Sequence, residues 1–131
     1  MSTSTEIVLD TNVCIDLMNA PTTAIPRIPA GSTLLVPLVV VGELFYGAYN
    51  SRRVNENLQR VDVFAKMAHI IALDWDTAVR FGQVRQHLLS KGRTIPDDDM
   101  WIAAIALQRA VPLGTRDKHF KDVAGLQVIA W

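Results

Sequence analysis

The chain has 131 residues, half of them apolar and a fifth charged, and its 13 basic residues balance 13 acidic ones. That size and composition fit one globular domain spanning residues 1–131, able to bury a core without disulfide or metal staples. Cys14, the lone cysteine, excludes an intramolecular disulfide, and no apolar run approaches the length of a membrane span or a signal-peptide core; a cytoplasmic protein is expected.

Zero net charge argues against a nucleic-acid partner only if the acids are evenly spread. With four of them gathered in one site, 13 basic residues face nine remaining acids, an excess of four on the outer surface.

The first informative stretch is Glu6-Ile7-Val8-Leu9-Asp10-Thr11-Asn12. A continuous apolar run of strand type reads as a strand buried on both faces of a parallel sheet. It ends by delivering Asp10 to the carboxyl edge of that sheet, where ligands of open α/β sheets bind. Taken alone, the stretch reads more readily as a cap, with Asp10, Thr11 or Asn12 at the N-terminus of the helix that follows to Asn19 with Val13, Cys14 and Leu17 inward. Pro21 stops that helix, and Thr22 to Ser32 reads as loop. Leu34 to Pro37 is a second strand, and a helix from about Val39 carries Glu43, Tyr46, Gly47 and Asn50 on one face.

Ser51 to Met67 has the periodicity of an amphipathic helix, with Val54, Leu58, Val61, Phe64 and Ala65 on its apolar side. His69 to Leu73 is a third strand, and Asp74 caps a helix that runs to Ser90 and is closed by Gly92. Its expected inward set is Ala78, Phe81, Val84 or Arg85, and Leu88. Arg80, Arg85, Lys91 and Arg93 form the densest basic stretch of the chain, suited to a wet helix face or to phosphate groups. His69, His87 and His119 have no acidic or histidine partner at ligand spacing, which argues against zinc or histidine-base chemistry.

Asp97, Asp98 and Asp99 open a helix that is apolar nearly all round from Met100 to Leu107, the mark of a buried helix. Three acids there exceed what capping needs, because neighbouring carboxylates repel unless a cation or protons lie among them. Val111 to Thr115 is a fourth strand, Arg116 to Phe120 a turn holding Asp117, and Leu126 to Trp131 a last strand. Strands and helices alternate, so the expected architecture is a parallel sheet with helices on both faces.

In such a sheet Asp10, Glu43, Asp99 and Asp117 can converge on one crevice. Hard divalent ions with oxygen ligands, Mg²⁺ or Mn²⁺, would offset four carboxylates packed together. One or two such ions can lower the pKa of a water and orient it for in-line attack on phosphorus.

Four stretches carry a family resemblance: Leu9-Asp10-Thr11-Asn12, Gly42 to Gly47, Ile95 to Ala104, and Thr115 to Phe120. In that order the chain resembles the PIN-domain ribonucleases, most of all the VapC-type toxins of bacterial toxin–antitoxin pairs. The resemblance implies a three-layer α/β/α fold around a central parallel sheet of four to five strands. It implies metal-binding, catalytic roles for Asp10, Glu43, Asp99 and Asp117, supported by Asn12 and Thr115. Within the aspartate run, Ile102-Ala103-Ala104 set the register that selects Asp99, leaving Asp98 near the metal and Asp97 as a cap. Gly114 departs from the small β-branched residue or alanine usual before the threonine, which would loosen that strand end near Asp117.

The implied activity is Mg²⁺-dependent endonucleolytic cleavage of RNA, with Mn²⁺ able to substitute. The implied partners are an RNA substrate, a VapB-type antitoxin whose tail enters the acidic groove, and a second copy in a homodimer; no membrane is implied. Alternative readings are a structure-specific DNA nuclease of the same fold and a non-catalytic antitoxin-binding scaffold. A phosphorylatable receiver-like domain would want a phosphoacceptor aspartate after the third strand, where Asp74 reads as a cap.

Overall fold

A computed structural model describes residues 5–131. Strand β1 (Glu6–Leu9) is central, and its Ile7, Val8 and Leu9 are essentially inaccessible to solvent. Helix α1 (Thr11–Asn19) follows at once, then α2 (Pro21–Ala24) and a 3-10 turn (Ile25–Arg27). Residues 22–32 are therefore not wholly loop. Pro21 ends α1 but opens α2 from its first turn, where a missing N–H costs nothing. Strand β2 (Thr33–Pro37) passes directly into α3 (Leu38–Tyr49), and α4 (Val54–Ala65) follows a bend.

Strand β3 (His69–Ile71) leads to α5 (Trp75–Ser90), whose N-cap Asp74 forms a reciprocal capping box with Thr77. Asp74 is thus a cap, and Gln108 adds a further hydrogen bond to its carboxylate at 2.8 Å. The inward face of α5 is Thr77, Phe81, Val84 and Leu88, not Ala78, which is exposed. The capping box explains the difference, since it turns Thr77 inward to meet Gln108 at 2.6 Å. Gly92 closes the helix with a left-handed φ of 69°. Helix α6 (Asp97–Arg109), strand β4 (Leu113–Thr115), a 3-10 turn (Lys118–Asp122) and strand β5 (Val128–Ala130) complete the chain.

All five strands are parallel, in the order β3-β2-β1-β4-β5. The chain builds outward from β1 in one direction through β2 and β3, then crosses back to lay β4 and β5 on the other side. The topological switch point therefore lies between β1 and β4, where ligand crevices of such sheets form. Helix α6 backs this seam with Ile102, Ala103, Ala104, Ile105 and Ala106, all buried. Its small side chains let it lie close to β1. Among the described residues, no helix is long and apolar enough to cross a membrane.

Gly114 lies where this seam is close, so it does not mark a loose strand end. A Cβ at that position would stand 3.2 Å from Cδ1 of Ile7, so its absence lets β4 seat against the neighbouring strand.

Candidate metal centre

Asp10 leaves the end of β1 and does two jobs. Its Oδ1 accepts the Thr11 backbone N–H at 2.8 Å, so it is the N-cap of α1. Its Oδ2 accepts the Thr115 hydroxyl at 2.7 Å, reaching across the seam to the end of β4. The cap and site readings of Asp10 are compatible because one carboxylate has two oxygens. Asp10 is only 2% exposed.

Burial pushes the Asp10 carboxyl above its ordinary value, against the hydrogen bonds from Thr115 and Thr11, and the Asp117 charge adds to the rise. Asn12, the second residue of α1, donates from Nδ2 to Asp117 Oδ2 at 3.3 Å and, more weakly, to Asp10 Oδ2 at 3.5 Å. The Asp117 backbone N–H bonds the Thr115 hydroxyl at 3.0 Å. Asn12 and Thr115 together bind the ends of β1 and β4 into one polar unit.

Asp99 stands in the first turn of α6. Burial, with the Asp10 charge next, pushes its carboxyl up to about 6, although His119 opposes the shift. Glu43 comes from α3; burial raises its carboxyl, the neighbouring Thr11 side chain opposes the rise, and the charges of Asp98, Asp99 and Asp10 add to it. Its Oε1 is buried without a hydrogen-bond partner, as are Thr11 Oγ1 and Asn12 Oδ1. The four acids therefore come from four different elements and act on one another's charge. Asp98 is exposed beside them.

Two expectations need correction. Asp97 is not the cap of α6: Pro96 holds that position with extended backbone, and its carbonyl accepts the Asp99 and Met100 N–H groups. Asp97 is the first helical residue, and its carboxylate faces Arg85 at 3.6 Å. Nor is His119 without an acidic partner. Its Nε2 lies 2.8 Å from Asp99 Oδ2, and one ligand-type atom from each of Asp99, Asp117 and His119 falls within 4.8 Å of the others. Local spacing missed this pair because 20 residues separate them. The available signal was topological, since His119 follows a site acid by two residues at a strand end.

The basic stretch stays outside this cluster. Arg85 pairs with Asp97, and Arg93 with Asp122 at 3.4 Å, all on the surface, and Arg80 and Lys91 are exposed. Arg116, next to Asp117, is turned away to Asp16 at 3.0 Å. The acids thus have no guanidinium among them in the described residues. One buried and three half-buried carboxylates that repel one another, with an orphaned Glu43 oxygen and an imidazole but no guanidinium beside them, are a donor set that fits a divalent cation.

Such a centre, at the switch point of a five-stranded parallel sheet, defines a class of small α/β acidic-site protein. Residues 7–126 match the PIN domain model, so the chain belongs to the PIN-domain family, and its curated relatives place it in the VapC branch. It is 30% identical over 129 residues to the tRNA(fMet)-specific endonuclease VapC of Shigella flexneri, covering 96% of this chain and 98% of that one. It is 27% identical to ribonuclease VapC2 of Rickettsia felis, over 94% of this chain and 96% of that protein. Among solved structures, VapBC2 from Rickettsia felis bound to a DNA fragment from its promoter superposes with a TM-score of 0.87 at 25% identity. That match covers 96% of this chain and 98% of the other.

Proposed function

We propose that this protein is a divalent-metal-dependent endoribonuclease, the toxin of a type II toxin–antitoxin pair, acting through residues 1–131 as one domain. The observation that carries the reading is the joining of Asp10 and Asp117 by one Asn12 amide beside Asp99, in a chain whose relatives are named ribonucleases.

Asp10, Glu43, Asp99 and Asp117 would hold Mg²⁺, with Mn²⁺ as a substitute. Such an ion would supply a water of lowered pKa and charge stabilisation for the leaving oxygen of a phosphodiester. The chain's own part is pre-organisation. Thr115 and the α1 N-terminus fix both oxygens of Asp10. Asn12 keeps the Asp117 carboxylate turned toward Asp10, and Glu43 offers an Oε1 that has no hydrogen-bond partner among the described residues. Asp98 adds negative charge beside the ion.

Arg80, Arg85, Lys91 and Arg93 would take RNA phosphates. The exposed ion pairs of Arg85 and Arg93 are weak enough to be exchanged for phosphate at little cost. A VapB-type antitoxin and a second copy of the chain are the expected protein partners. An apolar groove of about 340 Å³ bordered by Leu17, Pro21, Ile25, Phe64 and Met67 suits an antitoxin segment, and a second groove runs from Met18 and Val61 to Glu43.

Cleavage of total bacterial RNA by the purified protein tests the reading, with Mg²⁺, with chelator, and beside Asp99→Asn. Discrete fragments that require both the metal and Asp99 support it. Absence of cleavage by folded, antitoxin-free protein would favour the binding-scaffold alternative.

A further inference from the structure

His119 does more in this geometry than accompany Asp99. Its ring is tilted against that of Phe120, with centroids 4.8 Å apart, and Phe120 is fully buried. The 3-10 turn from Lys118 to Asp122 begins directly after Asp117, so the ring is held on the same side of the sheet as the acids. The 2.8 Å between Nε2 and Asp99 Oδ2 suits a hydrogen bond. It also suits two neighbouring ligands of one ion, since donors about 2.1 Å from an octahedral centre and at right angles lie about 3.0 Å apart.

We propose that His119 is a nitrogen donor to the ion held by Asp99 and Asp117, a donor that strengthens Mn²⁺ binding more than Mg²⁺ binding. The inference rests on the metal-centre reading above and deepens it. Three observations carry it.

The first is the grouping itself, with Asp99, Asp117 and His119 presenting ligand-type atoms within 4.8 Å of one another. The second is the lack of other cations. Arg116 is committed to Asp16, Arg85 to Asp97 and Arg93 to Asp122, so no guanidinium neutralises this group in the described residues. An imidazole paired with Asp99 alone would leave Asp117 without a cation, whereas an ion shared by Asp99, Asp117 and the imidazole serves the whole group. The third is donor chemistry. Mg²⁺ takes oxygen ligands and keeps its waters, while a ring nitrogen is a softer donor better matched to a first-row transition ion.

Pulsed electron paramagnetic resonance of the full chain, stripped with chelator and loaded with substoichiometric Mn²⁺, tests the proposal directly. A nitrogen bound to Mn²⁺ modulates the electron spin echo. Wild type shows this modulation, and labelling histidine with a different nitrogen isotope changes its frequency. In His119→Gln, which keeps a hydrogen-bonding side chain of similar reach, the modulation is lost. In calorimetric titration, the same variant loses about tenfold in Mn²⁺ affinity while Mg²⁺ affinity changes less than about twofold.

Mn²⁺ bound to wild type without nitrogen modulation overturns the proposal and leaves the four-carboxylate centre standing. Failure of wild type to bind Mn²⁺, with Asp10→Asn indistinguishable from it, overturns both. Because the isotope experiment uses the wild-type sequence, a variant that fails to fold does not weaken the test.

Discussion

The Thr115 hydroxyl donates to Asp10 Oδ2 at 2.7 Å across the seam between β4 and β1, and both residues are 2% exposed. The Thr115 hydroxyl oxygen in turn accepts the Asp117 N–H, so one hydroxyl ties two acids together. Thr115→Val keeps the shape and removes both bonds. It should destabilise the protein by about 1–3 kcal/mol, because a buried carboxylate and a backbone N–H lose a partner. Thr115→Ser should restore most of that. Urea denaturation of the three proteins checks the order, and RNA cleavage should fall in the valine variant more than in the serine one.

The Asp99 carboxyl, near 6 where 3.8 is ordinary, makes the metal-free protein sensitive to pH. Burial and the Asp10 charge make the folded state hold this proton more tightly than the unfolded state does. Stability from this group is therefore full below the ordinary 3.8 and is lost as pH rises through about 6. In chelator, Asp99→Asn should melt at a higher temperature than wild type above that range, with the gap closing in acid. Adding Mn²⁺ or Mg²⁺ should raise the wild-type melting temperature more above pH 6 than below it, since ion and proton compete for the same oxygens. Thermal scans across pH, with and without metal, measure both effects.

Gly114 gives a prediction about packing that leaves the chemistry aside. An alanine Cβ would press on Cδ1 of Ile7 at 3.2 Å, but that atom ends a flexible side chain and can yield. The loss of unfolded-state freedom works in alanine's favour by about 0.4–1 kcal/mol, so Gly114→Ala should be near neutral. Gly114→Val brings two further carbons into the seam and should cost about 1–3 kcal/mol. Denaturant midpoints of the two variants separate a seam that is tight from one that is loose.

The fold was readable where local chemistry and topology agree. The apolar run before Asp10, the capping aspartate at position 74 and the all-round apolar helix after Asp99 each state their element plainly, and their alternation implies the parallel sheet. What local pattern could not supply were contacts between distant elements. The Thr77 face of α5 depends on Gln108, which lies 31 residues away. His119 meets Asp99 only because β4 folds beside β1, which spacing along the chain does not encode. Pro96 took the capping position from Asp97 for a subtler reason: a proline in extended backbone can precede a helix, and its carbonyl was enough to start the ladder.

That last difference sharpens the comparison of Asp97 with Asp99. Asp97 has a side chain 68% exposed, and its carboxylate pairs with Arg85 at 3.6 Å, half exposed itself. Surface pairs of this kind contribute about 0–1 kcal/mol, and Asp97 gives α6 no side-chain cap to lose. Asp97→Asn should therefore fold, melt within a degree or two of wild type, and cleave RNA at close to the wild-type rate. Asp99→Asn should fold and lose cleavage, because its carboxylate is the one half-buried among Asp10, Asp117 and His119. Parallel assays of the two variants, with Mn²⁺ titrations to follow the metal separately from the chemistry, decide the register. Equal losses of cleavage with unequal losses of Mn²⁺ binding would assign Asp97 and Arg85 to the RNA path, because only a substrate contact could cost activity there without touching the ion.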